Sequence, residues 1–246
     1  LRTEKLAAMG RMSAAVAHEI RNPLAAIAQA NALLDEDLGD PAHKRLTLMV
    51  RHNAERLARI VDEILDVARV EHLGVSVSGS FVQLDAAVQS MAKEWSKQVG
   101  DQKSLSLSLT TGGAHAIFNS DHLRRLLVNL LDNARRHAAH AAPIHVATGF
   151  EPGGSLELRI WSDGPPLEPT VQRHLFEPFF SSQSRSSGLG LYICRELCER
   201  NGAEIGYVRS SRNTAGTITW GNEFAVRFNP ALAPGAINSN LLPPTA

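Results

Sequence analysis

From Leu6 to Leu38 apolar residues return at helical spacing, at Leu6, Met9, Val16, Ile20, Leu24, Ile27, Leu34 and Leu38, and only Pro23 interrupts the pattern. The spacing predicts one long helix bent at Pro23, whose ring removes a backbone hydrogen bond. Gly39-Asp40-Pro41 is turn chemistry, and beyond it Leu46, Val50, Asn53, Leu57, Ile60, Ile64 and Val67 alternate steps of four and three, a heptad seam. Two long helices joined by a short turn form an antiparallel hairpin. One hairpin leaves a second apolar stripe uncovered, so a second copy is the expected partner, giving a four-helix dimer through residues 1–73.

The pattern changes beyond Glu71. Residues 74–80 are small and polar and read as a linker, and 81–228 mix helical and strand-like runs. Helices are expected over 84–98, 120–141 and 188–201, and strands over 105–110, 114–118, 144–150, 156–161, 204–209 and 223–228. Several strands follow one another without an intervening helix, which predicts an α/β sandwich on a mixed sheet and argues against a doubly wound parallel one. From residue 229 the chain is rich in Pro, Ala, Asn and Gly without a period and reads as a disordered tail.

Composition narrows the function. The 246 residues carry 25 Lys plus Arg against 25 Asp plus Glu, a formal net charge of zero. A general nucleic-acid or membrane-surface binder is disfavoured, and any phosphate binding must be local. Cys194 and Cys198 fall inside a helical pattern and read as small core residues of a protein in a reducing compartment. No run of about 18 apolar residues is present. The chain opens on Leu1 already inside a helical pattern, so it reads as a fragment of a longer protein whose sensor or membrane part is missing.

Chemistry concentrates first around Ala17-His18-Glu19-Ile20-Arg21-Asn22-Pro23-Leu24. At 3.6 residues per turn His18 falls roughly 160° from the apolar set of Met9, Val16, Ile20 and Ile27, and Asn22 shares its face. A solvated polar face is one reading. A zinc site of the H-E-x-x-H type is excluded, because Asn22 stands where the second ligand belongs. The other reading is a phosphoacceptor: a neutral imidazole is nucleophilic near pH 7, Glu19 can take its proton, and Asn22 can hold a water or a phosphate oxygen.

The string His18-Glu19-Ile20-Arg21-Asn22-Pro23-Leu24 resembles the H-box of two-component sensor histidine kinases, H-E-x-x-N/T-P-L. Four further strings in the same order extend the resemblance to about residue 228. Asn129-Leu130-Leu131-Asp132-Asn133-Ala134-Arg135-Arg136-His137 is similar to the N-box; Asn129, Asn133, Arg136 and His137 lie near one helical face, and the resemblance implies Mg²⁺ on Asn133 and phosphates on Arg136 and His137. Gyrase-type relatives that hydrolyse ATP carry a water-activating Glu where this chain has Asn129, an amide without useful basicity, which favours phosphoryl transfer over hydrolysis.

Trp161-Ser162-Asp163-Gly164-Pro165-Pro166-Leu167 is similar to the G1 box, D-x-G-x-G, with a departure. Aligned on Gly164, the family's adenine-reading Asp falls on Ser162 and its second Gly on Pro166. Either Asp163 swings in, or Ser162 with a water reads the base, at a cost of about 1–2 kcal/mol for one altered hydrogen bond. Leu175-Phe176-Glu177-Pro178-Phe179-Phe180 resembles the F-box at one end of a lid, and Ser187-Gly188-Leu189-Gly190-Leu191-Tyr192-Ile193 resembles the G2 box, whose glycines admit phosphates to backbone N–H groups. Arg185 is the one cation of the short lid between them.

The resemblance implies an ATP- and Mg²⁺-dependent protein-histidine kinase that phosphorylates His18, passes the phosphoryl group to an aspartate of a response regulator receiver domain, and uses Asn22 in dephosphorylating that regulator. The short lid and the A-H-E-I-R-N-P-L string resemble kinases of the nitrogen-regulation and type IV pilus-control kind. The departures at Ser162 and Pro166 keep open an ATP-independent dimeric scaffold or phosphatase.

Overall fold

The computed structural model describes residues 2–72, 81–100, 105–139, 143–180, 188–214 and 216–229; within these, the side chains at 2–19, 56, 59, 62–72 and 214 lie outside the description. The expected linker and all but the first residue of the expected tail fall outside it as well. The chain divides into two compact units, Leu1–Val75 with Phe176–Ile193, and Ser76–Leu175 with Cys194–Ala246.

Helices α1 (Arg2–Asp37) and α2 (Pro41–His72) form the hairpin, and α1 stays helical through Pro23. The turn is a cap: Asp40 Oδ1 accepts the Ala42 N–H at 2.9 Å, and Pro41 opens α2 where its missing N–H costs nothing. Among the described side chains of the hairpin, the buried positions are Leu24 and Asn31 on α1 and Thr47, Ala54 and Val61 on α2. Leu24 and Val61 pack with Ala58, and Asn31 Nδ2 donates to the Thr47 carbonyl at 2.9 Å. Of the expected seam, Leu46, Val50 and Leu57 are exposed and Ile60 is half-buried, whereas the side chains of Ile64 and Val67 lie outside the described residues; Ile20, Ile27 and Leu34 on α1 are exposed as well. These exposed positions are the surface that the sequence reading assigns to a partner copy, and the inner contact combines Leu24, Val61 and Ala58 with the polar Asn31–Thr47 pair.

The second unit is an α/β sandwich. Strands β2 (Leu105–Leu109), β4 (Ile144–Phe150), β5 (Leu156–Asp163), β6 (Glu204–Thr214) and β7 (Thr217–Phe228) form one sheet in the order β2-β4-β5-β7-β6; β2 runs parallel to β4 and the remaining pairs are antiparallel. A short pair, β1 (Phe81–Gln83) with β3 (His115–Ile117), sits apart. Helices α3 (Leu84–Val99), α4 (Ser120–His137) and α6 (Gly190–Arg200) accompany the sheet, with a short α5 (Pro169–Arg173). Alternation sets the layers: Leu156, Leu158 and Ile160 on β5 stand opposite Phe228, Val226 and Phe224 on β7, all buried toward the helices. Against them α4 turns Leu123, Leu126, Leu127, Leu130, Leu131 and Ala134. Five elements depart from the sequence reading: α4 ends at His137, short of the expected 141, β6 and β7 continue past the expected ends into a long hairpin closed near Gly216, and β1 and α5 have no counterpart in it.

Candidate nucleotide and phosphotransfer site

In α1 the helix carries the H-box string without interruption. Asn22 is exposed, and Leu24, two residues on, faces α2. The side chains of His18 and Glu19 lie outside the described residues.

The N-box string occupies the second half of α4. Asn119 caps the helix, its Oδ1 accepting the N–H of Asp121 at 2.9 Å and of His122 at 3.1 Å. The apolar face named above fixes the rotation of α4, so Asn129 and Asn133 are left half-buried and Arg136 exposed at the helix end. Arg135, Arg136 and His137 crowd the last turn, where cations oppose the carbonyl end of the helix dipole. Burial, reinforced by the Arg136 charge, lowers the His137 pKa and favours the neutral imidazole. Asp132, also in the string, accepts the Trp95 indole N–H at 2.9 Å and is committed to holding α3 against α4. Burial pushes the Cys194 thiol up to about 12, against the opposing pull of the neighbouring Asn129 carboxamide and Arg125.

The G1-like string is placed by the pleat of β5. Ser162 shares the helix-side face with Ile160, opposite Asn222 of β7, whereas Asp163 lies on the far face with Trp161, opposite Gly221. Both are buried. Ser162 is thus the side chain that this strand presents next to the helices, and Asp163 would have to cross the sheet to replace it. Gly164 lies against the C-terminal end of α4: a Cβ there would stand 2.9 Å from the His137 carbonyl oxygen. The turn and the N-box helix therefore meet at a contact that only glycine permits.

Three residues absent from the sequence reading hold this turn. Arg209 Nη1 donates to the Gly164 carbonyl at 2.7 Å and to Asn222 Oδ1 at 3.1 Å. Tyr207 donates its hydroxyl to Asn222 Oδ1 at 2.8 Å, and Asn222 Nδ2 donates to the Pro165 carbonyl at 3.0 Å. Burial raises the Tyr207 pKa, opposed by a hydrogen bond from the Leu167 backbone. A signal was available: stepping back by twos from Phe228, Val226 and Phe224 lands on Asn222, a polar residue on an inward face.

Among the F- and G2-like residues, Phe176 and Gly190 are half-buried and Leu189 is fully buried. Gly188 has φ +71°, and a Cβ on it would stand 2.7 Å from the backbone of Phe179 and Phe180. Phe179 itself adopts φ +61°, a costly conformation for an aromatic residue. The two ends of the segment 181–187 are thus pressed together. Nothing stands within 4 Å of a Cβ on Gly190, the first residue of α6. Arg185 and Ser187 lie outside the described residues.

No group of three or more His, Cys, Asp or Glu that could hold a metal ion is found among the described residues. The donor set fits Mg²⁺ only as that ion is commonly held, by one or two protein oxygens together with phosphate oxygens and water, and the Asn133 carboxamide is a suitable hard donor. No described helix is long and apolar enough to cross a membrane.

A helical hairpin bearing a His-Glu-x-x-Asn-Pro string, followed by a sandwich in which the C-terminal end of the helix that carries Asn129 and Asn133 meets a glycine turn, defines the catalytic core of a two-component histidine kinase, and the chain belongs to that family. Residues 8–73 match the His Kinase A (phospho-acceptor) domain and residues 118–230 the Histidine kinase-, DNA gyrase B-, and HSP90-like ATPase family. The chain is 33% identical to the sensor protein kinase PilS of Pseudomonas aeruginosa over 208 residues, spanning 82% of this chain and 38% of PilS. It is 30% identical to the sensor histidine kinase ZraS of Klebsiella oxytoca, over 83% of this chain and 44% of ZraS. The chain thus spans less than half the length of these curated relatives. The fold is shared with full-length ShkA in complex with AMPPNP, at a TM-score of 0.67 and 21% identity over 91% of this chain and 46% of that one. It is also shared with AdeS of Acinetobacter baumannii, at a TM-score of 0.56 and 21% identity over 86% and 96%.

Proposed function

We propose that this chain is the ATP-dependent kinase core of a sensor protein. Mg-ATP binds at the end of α4 and β5, the γ-phosphoryl group is transferred to His18, and from there it passes to an aspartate of a response regulator. The imidazole nitrogen forms the new bond to phosphorus as the bond to the ADP oxygen breaks, and Glu19 accepts the imidazole proton. Asn133 supplies an oxygen for Mg²⁺, which neutralises charge on the triphosphate when bound. Arg136 and His137 meet the phosphates and Ser162 and Gly164 lie at the base end; resemblance to the family's F- and G2-boxes assigns Phe176, Arg185, Gly188, Leu189 and Gly190 to nucleotide binding as well. Asn22, exposed on α1, orients a water for removing phosphate from the regulator. The working unit is a homodimer through residues 1–73, which covers the exposed stripe of Leu46, Val50 and Leu57. The rest of the protein, outside this chain, senses the signal at the inner membrane.

The observation that carries this reading is the order of the two matched families in one chain, with an H-box in the first and an amide, Asn129, in place of a water-activating acid in the second. Incubation with radiolabelled ATP tests it. We expect acid-labile, base-stable label on the wild-type chain and none on His18→Gln. Label that survives in His18→Gln, or ATP binding without any label, would replace the kinase by another user of the same fold.

A further inference from the structure

The base end of this site is unusually poor in groups of fixed hydrogen-bonding polarity. In the turn after β5 the carbonyls of Gly164 and Pro165 are already taken by Arg209 and Asn222, at 2.7 and 3.0 Å. Positions 165 and 166 are both proline and have no N–H to donate. Asn222, the cross-strand neighbour of Ser162, has its Oδ1 engaged by two donors, Tyr207 and Arg209. The carboxylate of Asp163 is on the other face of the sheet. Among the side chains of β5 and this turn, the one left on the helix side for reading a base edge is the Ser162 hydroxyl.

A carboxylate at that place could only accept, and would pair with a 6-amino group while repelling a 6-oxo oxygen. A hydroxyl both donates and accepts, and rotates to suit. It can accept from a 6-amino group or donate to a 6-oxo oxygen with equal ease. Strong rejection of an analogue, by four or five orders of magnitude, needs a buried group left unpaired by the wrong ligand. Ser162 is left unpaired by neither purine.

Resting on the nucleotide reading given above, we propose that the site accepts 6-oxopurine nucleoside triphosphates as well as ATP, and that the clamp of Tyr207, Arg209 and Asn222 is what keeps the turn silent in recognition. Either triphosphate would then serve as phosphoryl donor to His18, with the corresponding diphosphate leaving.

The test titrates the whole chain with Mg²⁺ and either ATP or inosine triphosphate, which differs from ATP along the N1 and C6 edge, and follows both affinity and labelling of His18. We expect affinities within about tenfold of each other, the size of effect that weak discrimination allows. Ser162→Asp should raise the preference for ATP beyond a hundredfold by weakening the inosine nucleotide, and Ser162→Ala should weaken both by the same factor. ATP binding with no competition from a hundredfold excess of inosine triphosphate would overturn the inference and leave the kinase reading standing. So would an unchanged ratio in Ser162→Asp, or a loss confined to ATP in Ser162→Ala. If neither triphosphate binds, both readings fall together.

Discussion

Arg209, on the strand at the sheet edge, reaches the carbonyl of Gly164 at 2.7 Å and so ties the long β6–β7 hairpin to the turn that ends β5. The guanidinium is charged, and hydrogen bonds to charged donors contribute roughly 1.5–3 kcal/mol. We expect Arg209→Ala to weaken Mg-ATP binding by about tenfold to a hundredfold, with Arg209→Lys recovering part of the loss because one donor can still reach Gly164. Tyr207→Phe removes a neutral bond and should cost about 0.5–1.5 kcal/mol. Calorimetric titration beside a thermal melt checks this; equal affinity in wild type and Arg209→Ala would make the contact structurally idle.

Two glycines two residues apart should respond in opposite ways. Gly188→Ala places a Cβ on the backbone of Phe179 and Phe180 and keeps a φ that alanine disfavours, so we expect a loss of about 1–3 kcal/mol, read as a lowered melting temperature. Gly190→Ala meets nothing within 4 Å and adds helix propensity, so stability should hold or rise by about 0.5–1 kcal/mol. Its cost should appear in nucleotide affinity alone.

Burial holds the imidazoles of His122, His137 and His145 below the ordinary histidine range, helped by the charges of Arg200, Arg136 and Arg212 respectively. The folded state therefore binds fewer protons than the unfolded chain once the pH drops below about 6.5. Stability from these groups is complete above that value and is lost as pH falls through the depressed folded values. Thermal melts between pH 7.5 and 5.5 should show a steady decline, flattened in His145→Gln. A melting temperature that rises toward pH 5.5 would contradict the assignment.

The exposed stripe on α2 makes the dimer testable at positions whose side chains are described. Val50→Asp or Leu57→Asp places a charge in a surface that the dimer would bury, and we expect dissociation at micromolar concentration by sedimentation. A wild-type chain that sediments as a monomer would remove the need for a partner there.

Neighbours on α1 should separate two activities. Glu19 can take a proton and Asn22 cannot, so Glu19→Ala should slow labelling of His18 by about a hundredfold or more while sparing regulator dephosphorylation. Asn22→Ala should do the reverse. Equal loss of both activities in both variants would point to local damage of the helix near Pro23.

Much of this was legible in the sequence. The strands 144–150 and 156–161, the helix from residue 84, and the helix from 120 that carries Asn129 and Asn133 all follow from apolar spacing that a one-sided core dictates. The far half of the β6–β7 hairpin was not legible, because residues 211–213 and 217–220 pair only with each other beyond the end of β5 and bury no side chain, so the alternation fades. The inner contact of the hairpin was missed for a similar reason. Thr47 and Asn31 look like surface residues in one dimension, yet their hydrogen bonds let them be buried. Motif alignment puts Ser162 at the place of the family's Asp but leaves Asp163 free to swing in, whereas the two-residue period of β5 sets the two on opposite faces.

The close approach of Gly188 to Phe179 and Phe180 has a consequence for how such a chain can change over time. With Gly188 held against Phe179 and Phe180, the chain enters and leaves residues 181–187 at one point. Chain closure grows only logarithmically with length, by about 0.6 kcal/mol per doubling, so insertions or deletions there carry little thermodynamic penalty. The contact of Gly188 with Phe179 and Phe180 thus constrains where the segment attaches and leaves its length open.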